Sequence, residues 1–189
     1  MNLIIRKSIE NNRMMANALL HQNLDIIETI AQIMLECLKN ENTIFWCGNG
    51  GSAGQAQHLS AELVGGLTSH DRKPFRSISL TTDTSFITAW SNDTSYDSIF
   101  SRQVEGLGKA GDVLIGITTS GNSANVIQAF QKAKEIGVVT IALTGKTGGK
   151  IKDTADYTLA VPDTDTQRIQ EGHILVGHIL CEIVEKELS

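Results

Sequence analysis

The sequence predicts an α/β fold, a doubly wound parallel sheet of five strands flanked by helices, with two further helices ahead of the sheet. Three observations lead there. Apolar runs at 43–46, 77–80, 112–117, 138–143 and 157–161 alternate with stretches of helical length, an alternation that builds parallel sheets with right-handed crossovers. The runs at 112–117 and 138–143 are apolar almost throughout, as strands covered on both faces are. The first and third runs end in turns rich in glycine or hydroxyl groups that lead straight into helical segments.

A chain of 189 residues fits one domain with a substantial core. With 41% apolar residues, 20% charged residues and only two prolines, it carries no bias toward disorder, so all of it is expected to fold. The net charge of -5 and the lack of a Lys/Arg cluster argue against a nucleic-acid surface. No run of 18 apolar residues occurs and the first residues lack a signal-peptide pattern, so neither membrane insertion nor export is expected. Cys37, Cys47 and Cys181 are odd in number and lack metal-ligand spacing. They read as reduced core thiols of a cytoplasmic protein.

Residues 3–21 and 24–39 read as two helices, with Asn23 as the N-cap of the second. Ile27, Ile30, Ala31, Met34 and Leu38 give the second an apolar stripe; Ile5, Ile9, Met15, Ala18 and Leu19 give the first a looser one. Helices that precede the first strand are not sheet crossovers. Residues 1–40 are therefore expected to pack on partner subunits in a homo-oligomer.

The first strand runs into Cys47-Gly48-Asn49-Gly50-Gly51-Ser52 and a helix over 53–64 stopped by Gly65-Gly66. Glycines let the backbone approach a ligand closely, and the helix start offers free N–H groups and a positive dipole end, which suits a phosphate. The turn lacks both the Gly-Lys-Ser/Thr ending of a P-loop and the dinucleotide spacing, so nucleotides are disfavoured. Residues 68–74 form a loop, 77–80 a short strand, and 81–98 loop plus short helices. Within the latter, Asn92 and Asp93 could face a ligand or close an Asx-turn.

The strand at 112–117 meets Thr118-Thr119-Ser120-Gly121-Asn122-Ser123 and a helix over 124–135. Ser123 could serve only as an N-cap, but the four hydroxyls of Thr118, Thr119, Ser120 and Ser123 exceed what one cap needs, which favours a second phosphate-binding corner. The strand at 157–161 and a long helix over 166–188 complete the chain. Ligands of such sheets bind beyond the carboxyl ends of the strands, where both polar turns fall.

His58 and Glu62 lie four apart on the helix that begins at the glycine turn, so both project from one face. Gln170 and His178 lie eight apart on the last helix, about 80° from eclipsed, and can border one pocket, with His173 as a competing histidine. Such an N/O donor set suits Zn²⁺ or a similar divalent ion, whereas a surface His-Glu pair is the plainer alternative.

Gly48-Asn49-Gly50-Gly51-Ser52, His58 to Glu62, the run from Thr119 to Val126 and Arg168-Ile169-Gln170-Glu171 together resemble the phosphoheptose (sedoheptulose 7-phosphate) isomerases of the sugar isomerase (SIS) domain superfamily. The resemblance covers nearly the whole chain, 1–189, and implies a flavodoxin-like SIS fold. It implies conversion of sedoheptulose 7-phosphate to a manno-heptose 7-phosphate, the first committed step toward heptose for lipopolysaccharide or capsule, by a cytoplasmic homotetramer. It implies that Ser52, Thr118, Ser120 and Ser123 hold phosphate, that Asn49, Gly50, Gly51, Asn92, Asp93 and Gln170 surround the sugar, and that His58, Glu62, Gln170 and His178 bind zinc. Many relatives have serine at Thr118, and some have aspartate at Gln167. A ketose-to-aldose shift removes a proton from C1 and returns one to C2; Glu62 is the better base and His178 the better acid. Two rivals are a non-catalytic SIS adaptor that binds the replication initiator and an isomerase of another sugar phosphate, such as a pentose phosphate. An adaptor has no use for Glu62 and His178 as base and acid on facing helices, while only pocket length separates the two isomerases.

Overall fold

The computed structural model describes residues 1–189. Two helices come first, α1 (Asn2–Gln22) and α2 (Leu24–Lys39). They are followed by β1 (Ile44–Gly48), α3 (Gly51–Gly65), β2 (Ser77–Ser79), α4 (Thr84–Asp93), α5 (Ile99–Leu107), β3 (Val113–Thr118), α6 (Ala124–Glu135), β4 (Val139–Gly145), β5 (Tyr157–Val161) and α7 (Thr166–Leu188). The five strands are all parallel, in the order β2-β1-β3-β4-β5.

That order reverses direction between β1 and β3. The chain leaves β1 toward one edge and returns to β3 on the other side, which opens a crevice between the two loops at the carboxyl ends of those strands. Gly48 pairs with Ile117, so the two strands end nearly level and their turns face each other.

The period of two in each strand divides the core. Trp46 and Ile115 point to the side covered by α1, α2, α3 and α7, where Met34, Leu59 and Val176 pack. Phe45 and Leu114 point to the other side, against Phe100, Val104 and Phe130 of α5 and α6. All three cysteines are free and buried. Burial pushes the Cys37 and Cys181 thiols up to about 12, and that of Cys47 higher still, so none is a ready nucleophile.

Several local expectations change. Asn23 precedes α2, but its side chain does not cap the helix; Nδ2 donates to the Ala160 carbonyl of β5 instead, at 3.3 Å. Asp112 ends up below β3, where its carboxylate accepts from the N–H groups of Thr43 and Lys109. The short helices expected within 81–98 are present, among them the ten-residue α4, started by the Asp83 side chain, which accepts from the Phe86 N–H. In α1, Met15 and Leu19 are buried whereas Ile5 and Ile9 are 54% and 66% exposed. Only the second half of that stripe packs on this chain's own core.

Candidate active site

Both turns after β1 and β3 present helix starts to the crevice. Gly50 adopts φ 55°, the left-handed region where glycine is favoured, and α3 begins at the next residue. Ser123 sits at the N-cap of α6, yet it makes no capping bond; its hydroxyl pairs with that of Thr118 at 3.0 Å. Neither helix start is closed by a side chain; the Ser52 and Ala53 N–H groups of α3 turn back to the Asn49 and Gly50 carbonyls, whereas the first N–H groups of α6 remain for a ligand.

Asn49, Ser52, Ile117, Thr118, Thr119, Ser120, Ser123 and Gln170 line a cavity of about 110 Å³ between these two starts. Seven of the eight were expected from sequence to touch substrate. Gly51 belongs with them: a Cβ there would stand 2.7 Å from Gln170 Nε2, so the glycine admits the α7 side chain over the turn. Asn92 and Asp93 do not line the cavity. They form the exposed last turn of α4, where Asn92 Nδ2 donates to Asp93 Oδ1 at 2.7 Å.

Farther along α3 the chemistry changes. His58 Nε2 lies 2.7 Å from His178 Nε2 and 3.4 Å from Glu62 Oε1. The ligand atoms of His58, Glu62 and His178 all lie within 4.8 Å of one another. Two imidazole nitrogens and a carboxylate oxygen converging from two helices match the donors of a divalent transition metal. His58 stands six residues beyond Ser52, about 9 Å along the helix axis.

One cause of this convergence was missed from sequence. Gly177 lies inside α7 beside His178, and a Cβ there would come within 2.5 Å of Leu59, the neighbour of His58. Its bare Cα lets α3 and α7 cross closely enough for the two histidines to meet. A glycine inside a helix costs about 1 kcal/mol against alanine, so an interior glycine next to a candidate ligand was the available signal.

His173 settles as a packing residue. It is fully buried, with Nε2 donating to the Thr144 carbonyl at 3.0 Å. Burial pulls its pKa down to about 4, the hydrogen bond to Thr144 opposing only part of that shift, so the ring stays neutral. A separate cavity of about 580 Å³ includes Lys39, Lys73, Arg76 and Lys109 in its wall and none of the residues described above.

The fold and this pair of subsites define a protein of the sugar isomerase class. The SIS domain family model matches residues 9–145. The chain is 52% identical over 167 residues to a phosphoheptose isomerase of Clostridium acetobutylicum, covering 88% of this chain and 85% of that one. To the phosphoheptose isomerase of Aquifex aeolicus it is 54% identical over 160 residues, covering 85% and 83%. The solved phosphoheptose isomerase of Neisseria gonorrhoeae superposes with a TM-score of 0.91 at 42% identity, over 97% of this chain and 98% of that one. The chain belongs to the phosphoheptose isomerase family within the SIS domain proteins.

Proposed function

We propose that this chain isomerises sedoheptulose 7-phosphate to D-glycero-D-manno-heptose 7-phosphate through a cis-enediol(ate), supplying heptose for lipopolysaccharide or capsule. The observation that carries the reading is the convergence of His58, Glu62 and His178 within 4.8 Å, about one and a half helical turns beyond an anion-sized cavity. The phosphate is held at the starts of α3 and α6 by Ser52, Thr118, Thr119, Ser120 and Ser123. Asn49, Gly50, Gly51, Asn92, Asp93 and Gln170 surround the sugar.

With the phosphate fixed at the tail, the first two carbons reach the acid–base cluster. Glu62 takes a proton from C1 while His178 donates one to the oxygen on C2, giving the enediol. His178 then takes the proton of the C1 hydroxyl as Glu62 returns its proton to C2, and the aldose results. Each transfer by a positioned group is worth roughly 10²–10⁴ in rate. Glu62 Oε1 faces His58 and Oε2 has no bonded partner, so one oxygen is free for proton transfer while the other is engaged. His58, Glu62, Gln170 and His178 would hold a zinc ion, whose Lewis acidity stabilises negative charge on the substrate oxygens.

The exposed apolar side chains of α1, Leu3, Ile4, Ile5 and Ile9, suit burial in a cytoplasmic homotetramer. A non-catalytic adaptor would have no use for a base and an acid converging on one point. The test is incubation of purified protein with sedoheptulose 7-phosphate, with and without a chelator. The expected result is an aldoheptose phosphate that stops forming when metal is removed; no product under either condition would overturn the assignment.

A further inference from the structure

The two anion-binding turns are joined by a pair of amides that the reaction scheme does not use. Asn125, the second residue of α6, is 2% exposed. Its Nδ2 donates to Asn49 Oδ1 at 2.9 Å, and its Oδ1 accepts from Asn49 Nδ2 at the same distance. Tyr96, from the turn after α4, donates its hydroxyl to the same Asn49 oxygen at 2.8 Å.

A primary amide has two acceptor lone pairs and two N–H donors. On Asn49 both acceptor positions and one donor are therefore occupied, and one N–H is left over. Asn49 also lines the cavity, so the group it offers there is a donor. Rotating the Asn49 amide alone would break the reciprocal pair, setting N–H against N–H and oxygen against oxygen. Asn125 is itself too buried to meet solvent, and both side-chain hydrogen bonds it makes go to Asn49.

We infer that Asn125 is a positioning residue: its reciprocal amide pair locks the β1 turn to the start of α6, sets the spacing of the two phosphate-binding helix starts, and fixes Asn49 as a donor to an oxygen of the substrate. The inference deepens the isomerase reading and rests on it for the identity of the substrate. The spacing it describes is tested with inorganic phosphate alone.

The experiment compares wild type, Asn125→Ala, Asn125→Asp and Tyr96→Phe by calorimetric titration with inorganic phosphate, thermal melting, and turnover of sedoheptulose 7-phosphate. Loss of the two amide bonds in Asn125→Ala should weaken phosphate binding roughly 10-fold, as about 0.5–1.5 kcal/mol per bond implies. KM should rise by a similar factor while kcat changes less than about 3-fold, because binding is lost equally from substrate and transition state. Asn125→Asp can only accept, and it adds negative charge beside the anion, so it should bind phosphate more weakly than Asn125→Ala. Tyr96→Phe removes one exposed bond and should cost roughly 3-fold; it keeps the inference testable if the Asn125 variants do not fold. A lowered melting temperature with unchanged phosphate affinity in the folded variants would overturn it, as would unchanged affinity in Tyr96→Phe. Absence of turnover by wild type would remove the isomerase reading while leaving the phosphate comparison to decide this one.

Discussion

Two carboxylates join the α3 region to α7, and they are treated in opposite ways. Glu185, 3% exposed, accepts from the backbone N–H groups of Leu67, Thr68 and Ser69, from the Thr68 hydroxyl and from Arg72 Nε. Glu62, whose side chain is 19% exposed, faces only His58, at 3.4 Å. Every lone pair of the first is used to tie the loop after α3 to the end of α7. The second leaves an oxygen open beside two imidazoles. Within one helix pair, saturation of a charge by its own chain marks structure, and an unsaturated charge marks a place kept for something else.

The comparison breaks most visibly at Glu62. Glu62→Gln keeps the shape and removes the base, so turnover should fall roughly 100- to 10,000-fold. Substrate affinity should be nearly retained and stability should move by less than about 0.5 kcal/mol. Single-turnover kinetics beside a thermal melt would check both, and near-normal turnover would end the role given to Glu62.

Glu185→Ala should do the reverse. Removing one partner of a buried ion pair strands Arg72, at a cost of about 3–5 kcal/mol, which is roughly 6–20 °C in Tm for a chain of this size. Activity per folded molecule should persist. Burial alone would raise the Glu185 pKa, but the Thr68 hydroxyl, Arg72 and the N–H groups of Leu67 and Thr68 outweigh it and hold the carboxyl well below the ordinary range. A depressed folded-state pKa contributes stability that is complete above the unfolded value of about 4.3 and is lost as pH falls below it. The stability gap between wild type and Glu185→Gln, measured by denaturant titration, should therefore close on acidification below that value; a gap constant with pH would contradict the cluster's role.

Between these extremes lies Gly177, which serves both packing and chemistry. Gly177→Ala places a methyl against Leu59, where a Cβ would come within 2.5 Å. Overpacking should cost about 1–3 kcal/mol. Because the same contact sets the crossing of α3 and α7, metal affinity measured by competition with a chelator should drop as well. Loss of stability with unaltered metal affinity would separate the crossing from the histidine pair.

What could be read in advance follows the same division between local and distant causes. Strands β3 and β4 and the two helix-starting turns were visible because apolar runs and glycine or hydroxyl clusters act over a few residues. The parallel, doubly wound sheet followed from the alternation of elements, while its flavodoxin-like order was implied only by the family resemblance. Short helices were expected within 81–98, but the bounds of α4 were hidden, since it has no buried residue and depends on the Asp83 cap within a Ser/Thr-rich stretch. Glu185 gave no signal because its partners lie 113 to 118 residues away. Asn23 carried a capping pattern that β5 overrode with a carbonyl. His58 and Glu62 were paired by spacing on one helix, while their meeting with His178 needed Gly177, whose meaning appears only when two helices cross.

The finest division within the site concerns Ser123. A serine at an N-cap whose hydroxyl holds a helix N–H is worth about 1 kcal/mol, which Ser→Ala removes. Here the hydroxyl turns away from the helix and pairs with Thr118 at 3.0 Å, so that loss should be absent. Ser123→Ala should change stability by less than about 0.5 kcal/mol. Removing a hydroxyl from the wall of the anion cavity should instead weaken inorganic phosphate by roughly 3- to 10-fold, the worth of one hydrogen bond to a charged group at the low end. Calorimetric titration and a melt on the same sample measure both quantities. A fall in Tm with phosphate affinity intact would return Ser123 to ordinary capping, and would place it with Glu185 among the groups whose bonding is spent on the fold.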